Sequence, residues 1–286
     1  MILVTGATGH LGTATIEHLL KNTDASNIVA LARDENKASE LAEKGVIVRM
    51  GHFDDIASLD KAMEGVEKVL LISGLDPNRL QQHKNVVDAA KKAGVKHIAY
   101  TGVSIKDPST SGVKPLMESH FETGDYIKKS GLTYTMLRNT LYTDGIAVFA
   151  GPQVFENGIY LPSGNGKVPY ALRREMGEAA ANVLLQPGHE NKTYEITGSQ
   201  LYSYADAAEA LSVLSGKTVV YTDADADKFP GQLREWGLPE EVVFIVTGFS
   251  ADIKNQQFER TTKDLEILLG RKPATLRDGL KEVYNL

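Results

Sequence analysis

The chain has 286 residues, of which 42% are hydrophobic and 24% charged, with no cysteine and a formal net charge of −6 at pH 7. This composition excludes disulfides, thiolate nucleophiles, iron–sulfur clusters and cysteine-ligated zinc, and it argues against a general nucleic-acid binder, which needs a basic surface. No apolar run approaches the roughly 20 residues of a membrane span, and the first residues predict a buried strand, so we expect a cytoplasmic protein without a membrane partner.

The first 138 residues alternate between short apolar runs and longer amphipathic segments. The runs are continuously apolar, which is typical of parallel strands covered on both faces. They comprise Ile2–Val4, Ile28–Ala32, Val46–Val48, Val69–Ile72, Ile98–Tyr100 and Tyr134–Leu137. This alternation predicts βαβ units and therefore an α/β fold with a Rossmann-type doubly wound parallel sheet.

After about residue 139 the pattern changes, because glycine and proline become frequent and helical periodicity dominates. Helices are predicted over 173–186, 203–214, 239–247 and 261–269, and strands over 193–197 and 218–221. We interpret residues 1–138 as an NAD(P)-binding Rossmann domain. Residues 139–286 are predicted to form a smaller α/β substrate-binding region, packed on the sheet edge where ligands bind in such folds.

A glycine-rich turn follows the first strand and opens the first helix. In such turns one glycine makes the bend, another lets the backbone approach a pyrophosphate, and the last lets helix and strand pack closely. The helix N-terminus then presents free N–H groups to the anion. The glycine spacing here is three and three rather than the usual two and three. We predict a diphosphate site at Gly6, Thr8, Gly9, His10, Leu11 and Gly12; the alternative is a tight turn without a ligand.

The second predicted strand ends at Ala32, and Arg33 and Asp34 follow it. At this place an acid bonds the ribose 2′-hydroxyl of NADH, whereas a base meets the 2′-phosphate of NADPH. The planar guanidinium of Arg33 suits bidentate phosphate contact and favours NADPH, while Asp34 leaves NADH open and a solvated surface arginine is the alternative. Ser73 and Gly74, directly after the fourth strand, are predicted to pass beside the ribose and pyrophosphate; the alternative is a plain loop.

Many reductases on this fold use a Tyr-x-x-x-Lys pair, in which the lysine lowers the tyrosine pKa so that the hydroxyl can pass a proton. No tyrosine of this chain has a lysine at that spacing; Ser130 follows Tyr126, and Arg138 follows Tyr134. Hydride delivery to an ordinary ketone is therefore disfavoured. A quinone or a delocalised cation gives a resonance-stabilised product, which does without a strong general acid, so the protein needs to supply orientation and a dry pocket.

Several short motifs occur in a characteristic order over nearly the whole chain. They are Thr5–Gly12, Arg33, His97–Thr101, His120-x-Glu122-Thr123, Leu137–Asn139, Gly164-x-Gly166-Lys167 and Gly188–Glu190. In order and spacing they resemble the atypical short-chain dehydrogenases and reductases of the NmrA-like group, and within it the NAD(P)H:quinone and triphenylmethane-dye reductases.

The resemblance implies roles for three residues of the second half. The segment 139–144 lies along the cofactor in that group and opens onto the substrate pocket, which makes Asn139 and Tyr142 candidates on the nicotinamide side. Arg173 matches an arginine that reaches toward the cofactor site. The alternatives are a core aromatic at Tyr142 and a surface arginine at the start of a helix at Arg173.

The resemblance also identifies one further candidate and one departure. His120 stands where the tyrosine of the missing pair would stand, and it is a candidate for orienting the substrate or giving a proton; a structural histidine is the alternative. After the third strand the group commonly has Asp-Tyr, but this chain has His52-Phe53. Phe53 is still predicted to flank the adenine ring, whereas the carboxylate is missing unless Asp54 or Asp55 replaces it.

These observations leave three functions open. The first is an NADPH-dependent reductase that transfers hydride directly to a quinone-like or other delocalised aromatic acceptor. The second is a non-enzymatic NADP-binding sensor, and the third is a nucleotide-sugar epimerase or dehydratase, which the missing tyrosine–lysine pair disfavours. The expected cofactor is NADPH, with NADH possible. The sequence requires no flavin, and the histidines have no close spacing that indicates a metal site.

Overall fold

The computed structural model describes residues 1–286 and contains nine strands. They are β1 (Ile2–Val4), β2 (Ile28–Ala32), β3 (Ile47–Met50), β4 (Lys68–Ile72), β5 (His97–Val103), β6 (Thr133–Asn139), β7 (Ile159–Leu161), β8 (Lys192–Ile196) and β9 (Tyr221–Asp223). Seven strands form one sheet in the order β3-β2-β1-β4-β5-β6-β8, and every pairing in it is parallel. The predicted Rossmann-type fold is confirmed.

Thirteen α-helices connect and cover these strands. They are α1 (His10–Leu20), α2 (Glu35–Glu43), α3 (Ile56–Ala62), α4 (Arg79–Lys92), α5 (Lys114–Ser130), α6 (Thr143–Ala150), α7 (Val154–Asn157), α8 (Arg173–Leu185), α9 (Tyr204–Ser215), α10 (Phe229–Glu235), α11 (Glu240–Lys254), α12 (Asp264–Leu269) and α13 (Leu276–Tyr284). None of them combines the length and the apolar character that crossing a bilayer requires.

Helices cover both faces of the sheet, because successive side chains of each strand point to opposite faces. Val4 and Leu70 pack with α1, α8 and α12 on one face, whereas Leu3, Val69 and Leu71 pack with α3 and α4 on the other. All five side chains are fully buried. Continuous apolar strands are therefore required, as the sequence indicated.

The most extensive contact between two helices is that of α1 with α8, and it depends on a glycine. A Cβ atom at Gly177 would lie 2.7 Å from the Cβ of Ala14. The first helix of the chain and the first long helix of its second half therefore pack closely, and this contact fixes residues at the start of α8 beside the turn that precedes α1.

The second half of the chain differs from the expected separate region in one respect. Its strand β8 pairs with β6 and is the seventh strand of the main sheet, so the sheet crosses the boundary expected after residue 138. Helices α8 and α12 pack on the main sheet, whereas most of the rest shares a second core with first-half residues such as Val113 and Met117, and this core includes the two-stranded sheet β7-β9. The division at residue 138 stays a prediction.

Several boundaries also differ from those predicted. β5 runs to Val103 rather than Tyr100, because it pairs with β6 along its full length. α11 continues to Lys254, well beyond residue 247, and the strand expected over 218–221 occupies Tyr221–Asp223.

Candidate cofactor and acceptor site

Three adjoining cavities form a trough along the carboxyl ends of the parallel strands. The β2 cavity, of about 560 Å³, is lined by Gly6, Thr8, Gly9, Leu31–Arg33, Lys37, Gly51–Phe53, Ile72–Asp76 and Gln82. The α1 cavity, of about 380 Å³, is lined by Thr8–His10, Thr13, Ala14, Glu17, Asp144, Arg173 and Arg174. The β5 cavity, of about 240 Å³, is lined by Ser73–Leu75, Arg79, Thr101–Val103, Leu116, Met117, His120, Asn139–Tyr142 and Phe249. Shared lining residues make the trough continuous.

The glycine turn brings unpaired backbone donors to the centre of this trough. Gly6 has a φ of +58°, and the Gly9 N–H bonds back to its carbonyl at 3.0 Å. Helix α1 has Gly9 as its N-cap, with no side-chain cap and no acidic residue in its first turn. The first N–H groups of a helix have no partner within it and favour an anion. The turn is thus suited to a diphosphate.

Gly12 makes a contact that no other residue type permits. A Cβ at this position would lie 2.2 Å from the Gly6 carbonyl oxygen and 2.8 Å from the Ala7 Cα. We expect Gly12→Ala to displace α1 from the turn and to lower the free energy of unfolding by about 1–3 kcal/mol, as overpacked sites do. Urea unfolding followed by circular dichroism measures this change.

Gly124→Ala is the matched control for Gly12→Ala. Gly124 lies in helix α5, and a Cβ there would meet only the Met136 sulfur, at an ordinary 3.7 Å. Alanine has a higher helix propensity than glycine, so this variant should be at least as stable as the wild type. Equal destabilisation by both substitutions would contradict a close-packing role for Gly12.

The β2 cavity has two cations at its rim. Arg33 and Lys37 both line it and are exposed. Asp34 does not line it, because its carboxylate caps α2 and accepts hydrogen bonds from the backbone N–H groups of Asn36 at 3.0 Å and Lys37 at 3.3 Å. The acid directly after Arg33 is therefore committed to the helix, whereas the charges of Arg33 and Lys37 line the cavity, whose one lining carboxylate, Asp76, comes after β4.

The same cavity contains a residue that the sequence did not identify. Phe53 and Gln82 both line it, and Gln82 is almost fully buried. Its amide nitrogen donates to Asp54 at 2.9 Å, which leaves the amide oxygen free to accept a hydrogen bond. Asp55 is not available, because it caps α3 through the N–H of Ser58.

Arg173 lies between the α1 cavity and the β5 cavity. Its guanidinium carbon lies 4.3 Å from the centre of the Tyr142 ring, and its backbone N–H donates to Asp144 at 3.0 Å. Burial raises the pKa of Tyr142, while a hydrogen bond with Asn139 and the charge of Arg173 act against this rise. The Tyr142 hydroxyl is therefore protonated at neutral pH.

A second arginine, Arg79, is buried at the β5 cavity and was also missed. It begins helix α4, is only 3% exposed and has no carboxylate within ion-pair distance. Its N–H groups donate to the Ser119 hydroxyl at 2.7 Å, to the Gly74 carbonyl at 2.9 Å and to the Leu116 carbonyl. No local pattern marks this arginine, since two of its three partners lie on helix α5.

His120 borders the same cavity and has a buried partner. Its Nδ1 lies 2.9 Å from the hydroxyl of Tyr100, which is 2% exposed. Burial, with the charge of Arg79 and the neighbouring His83, holds the His120 pKa well below its usual range. Burial raises the pKa of Tyr100 to about 12. Both groups are therefore neutral at physiological pH.

Most of the predicted site residues meet in the trough. Those that line its cavities are Gly6, Thr8, Gly9, His10, Arg33, Phe53, Ser73, Gly74, His120, Asn139, Tyr142 and Arg173. Leu11 and Gly12 are buried in α1 and line none of the three. No lysine lines the β5 cavity. The structure contains no cluster of three or more histidine, aspartate or glutamate side chains that could hold a metal ion. The functional roles of these residues stay predictions.

The comparison with known proteins agrees with the resemblance predicted from the motifs. The sequence profile of the NmrA-like family matches residues 1–247. Quinone oxidoreductase 2 of Escherichia coli (strain K12) is 38% identical over 288 residues, covering 100% of this chain and 99% of that protein. The NAD(P)H azoreductase of Xenophilus azovorans is 31% identical over 243 residues, covering 85% and 83%.

Solved structures give the same result. The NADPH-dependent quinone oxidoreductase of Escherichia coli, complexed with NADPH, superimposes with a TM-score of 0.93 at 36% identity and full coverage of both chains. The triphenylmethane reductase of Citrobacter sp., complexed with NADP(H), superimposes with a TM-score of 0.90 at 39% identity, covering 99% of this chain and 100% of that one. The predicted resemblance is confirmed.

Proposed function

Because this chain belongs to the NmrA-like family and is an oxidoreductase, we propose that it uses NADPH to reduce quinones or other flat, delocalised acceptors by direct hydride transfer. The observation that carries this proposal is the continuous trough. It begins between two cations at β2, passes the glycine turn and ends in a cavity bordered by Asn139, Tyr142 and Phe249. A dinucleotide lying along it would present its nicotinamide at the β5 cavity.

The residues of the trough fit NADP(H) at each step. Arg33 and Lys37 would hold the 2′-phosphate, and Phe53 would flank the adenine, with the Gln82 amide oxygen in reach of its amine. The unpaired N–H groups at the start of α1 would hold the diphosphate, supported by the charge of Arg173. The capping role of Asp34 favours NADPH over NADH, since its carboxylate is not free to bond a ribose hydroxyl.

The acceptor side of the proposal follows from the lining of the β5 cavity. Bound NADPH would supply the hydride, and the protein would hold the acceptor against it and exclude water. The cavity has apolar walls at Leu116, Met117 and Phe249, which suit a flat ring. It has no lysine to activate a tyrosine, which favours acceptors that form a stabilised product. The quinone, azo and triphenylmethane substrates named for the relatives belong to this class.

Coenzyme oxidation with a panel of acceptors tests the proposal. The purified protein is mixed with NADPH or NADH and a benzoquinone, an azo dye or a triarylmethyl dye, and absorbance of the reduced coenzyme is followed with a no-acceptor control. We expect acceptor-dependent oxidation, faster with NADPH. If NADPH binds but no acceptor is reduced, the protein is a sensor rather than a reductase.

An isotope experiment tests whether the transfer is direct. NADPH carrying deuterium at the transferable position of C4 is used with the triarylmethyl dye, whose reduction forms a stable C–H bond at the central carbon. We expect the deuterium at that carbon, because direct transfer does not exchange with solvent. Hydrogen from the solvent at that position would indicate an intermediate carrier and contradict direct transfer.

A further inference from the structure

We propose that His120 and Arg79 form an oxyanion site in the β5 cavity, with Tyr100 positioning the histidine, and that this site favours acceptors whose reduction leaves a negatively charged oxygen. This inference rests on the proposed function for its reaction, but the ionic preference of the cavity can be measured without turnover. It assigns the acceptor class to quinones and related carbonyl compounds, in preference to cationic dyes.

The hydrogen bond between Tyr100 and His120 fixes the tautomer of the histidine. The Tyr100 hydroxyl lies 2.9 Å from Nδ1, and in the proposed site it donates to this nitrogen. A neutral imidazole that accepts at Nδ1 carries its proton at Nε2. His120 therefore presents an N–H donor at Nε2, and this group has no hydrogen-bond partner within the protein.

His120 lies between two cavities. It borders the β5 cavity and also a small cavity of about 30 Å³ behind it. Tyr100 borders the small cavity and not the β5 cavity, so the partner of Nδ1 lies on the far side from the acceptor. The proposed site uses the Nε2–H on the side of the β5 cavity.

His120 can act at this site as a neutral hydrogen-bond donor. Because its burial and the Arg79 charge disfavour a second proton, the ring stays neutral and acts as a hydrogen-bond donor over the physiological pH range. Its Nε2–H would donate to an oxygen of the acceptor and strengthen that bond as negative charge develops there. Pre-oriented donors of this kind stabilise a transition state without reorganisation.

Arg79 adds a charge that nothing in the protein neutralises. A buried cation without a carboxylate is costly, and here only neutral oxygens surround the guanidinium. It borders the β5 cavity and lies close enough to Tyr100 to favour a negative charge there. An acceptor that becomes an anion on reduction would be stabilised by this charge, whereas a cationic dye would be repelled in its ground state.

The balance of the reaction sets quinones apart from cationic dyes. Hydride brings two electrons and one hydrogen nucleus, so a neutral quinone becomes a hydroquinone monoanion with its charge on oxygen. This anion takes one proton from solvent after release, and no protein group needs to be consumed. A triarylmethyl cation becomes a neutral product and leaves no charge on oxygen. Only the first class uses an oxyanion site.

Paired acceptors therefore separate this role from a structural one. We expect His120→Phe to lower kcat/KM for a benzoquinone by roughly tenfold to a hundredfold, in line with losses of single oxyanion donors. The same variant should reduce a triarylmethyl dye within about twofold of the wild-type rate. His120→Gln, which restores a side-chain N–H, should recover part of the quinone activity. An equal loss for both acceptors would overturn the proposal.

Tyr100→Phe tests the positioning role of the tyrosine. It keeps the ring and removes the hydroxyl that fixes the His120 tautomer, so quinone reduction should fall with the dye again little affected. Tyr126→Phe is the matched control, because that tyrosine lies on helix α5 but its hydroxyl donates to Asp88 on α4, away from the β5 cavity. If Tyr100→Phe and Tyr126→Phe behave alike, Tyr100 has no such role.

A binding measurement decides the same question without turnover. p-Nitrophenol changes absorbance when it ionises, so its spectrum reports the ionisation of the bound molecule. We expect wild-type protein, with and without NADP⁺, to bind the phenolate about tenfold more tightly than the phenol, a preference equal to one unit of pKa. His120→Phe should lose most of this preference. No preference in the wild type would overturn the oxyanion site, even if quinones are reduced.

The two proposals can fail separately. If the wild-type protein reduces no acceptor but still prefers p-nitrophenolate through His120, the proposed function is wrong and the oxyanion site stands. If quinone and dye are both reduced and His120→Phe changes neither the ratio of their rates nor the p-nitrophenol spectrum, the proposed function stands and the oxyanion site is wrong.

Discussion

Replacing both cations at the rim of the β2 cavity, in Arg33→Ala/Lys37→Ala, is expected to weaken NADPH binding about a hundredfold while changing NADH binding by less than about threefold. The two coenzymes differ only in the 2′-phosphate, which carries the charge that these side chains would meet. Hydrogen bonds to a charged group contribute about 1.5–3 kcal/mol each, and exposure of both side chains to solvent reduces their sum. A hundredfold loss corresponds to about 2.7 kcal/mol.

Fluorescence or calorimetric titration with each coenzyme measures this selectivity. Because the interaction is between exposed charges, NADPH affinity of the wild type should also fall with added salt more steeply than that of the variant. Lys44→Ala is the matched control: Lys44 is an exposed cation at the other end of helix α2 and does not line the cavity. Equal losses for NADPH and NADH would contradict a phosphate-binding role for Arg33 and Lys37.

Local sequence determined the Rossmann half of the fold closely. Strands such as β2 and β4 are short, continuously apolar and separated by helical stripes, and a buried parallel strand needs this pattern on both faces. The turn from Gly6 to Gly12 was recognisable for the same reason, since its glycines are required by contacts within eight residues of chain. Patterns of this kind are visible without tertiary information.

Other parts depended on contacts that the sequence does not reveal. Arg79, Tyr100 and His120 lie on α4, β5 and α5. Only the packing of these elements brings Arg79 and His120 to the β5 cavity and places Tyr100 against His120. The missing tyrosine–lysine pair was visible, but the buried tyrosine–histidine pair was not, because its members are 20 residues apart. The preference of Asp34 for capping α2 also became clear only from its hydrogen bonds.

Acid is expected to destabilise the fold through His83, another buried histidine of this region. His83 is fully buried between α4 and α5, and its Nδ1 lies 2.9 Å from the Thr123 hydroxyl. That hydroxyl donates to the Ser119 carbonyl, so Nδ1 must donate to it and Nε2 has no proton. Nε2 is buried without a partner. A second proton would place an unpaired charge in the core near Arg79.

The direction of the pH dependence follows from the two pKa values. Burial, with the charge of Arg79, lowers the His83 pKa from 6.5 to about 3 in the folded protein, whereas the unfolded chain titrates near 6.5. Between these values the unfolded state binds one proton more, so the free energy of unfolding is unaffected by this group above pH 6.5 and falls as the pH decreases toward 3. The loss approaches about 1.4 kcal/mol per pH unit. His120, whose pKa is also lowered, acts in the same direction.

His83→Asn isolates this contribution, because its amide nitrogen can replace Nδ1 as the donor to Thr123 while no group titrates. Urea unfolding between pH 4 and 7 measures this contribution. Between pH 6 and pH 4, the free energy of unfolding of the variant should fall by about 2 kcal/mol less than that of the wild type. This difference is smaller than the full linkage value, because the polar groups around His83 relax around a charge. His10→Asn is the control, since His10 is exposed and makes no side-chain hydrogen bond. Carboxylates that titrate in the same range are common to all three proteins and cancel in the comparison. If the free energy of unfolding of His83→Asn falls with decreasing pH as steeply as that of the wild type, His83 is already protonated in the folded state. The assignment of Nε2 as a buried, unprotonated nitrogen would then be wrong.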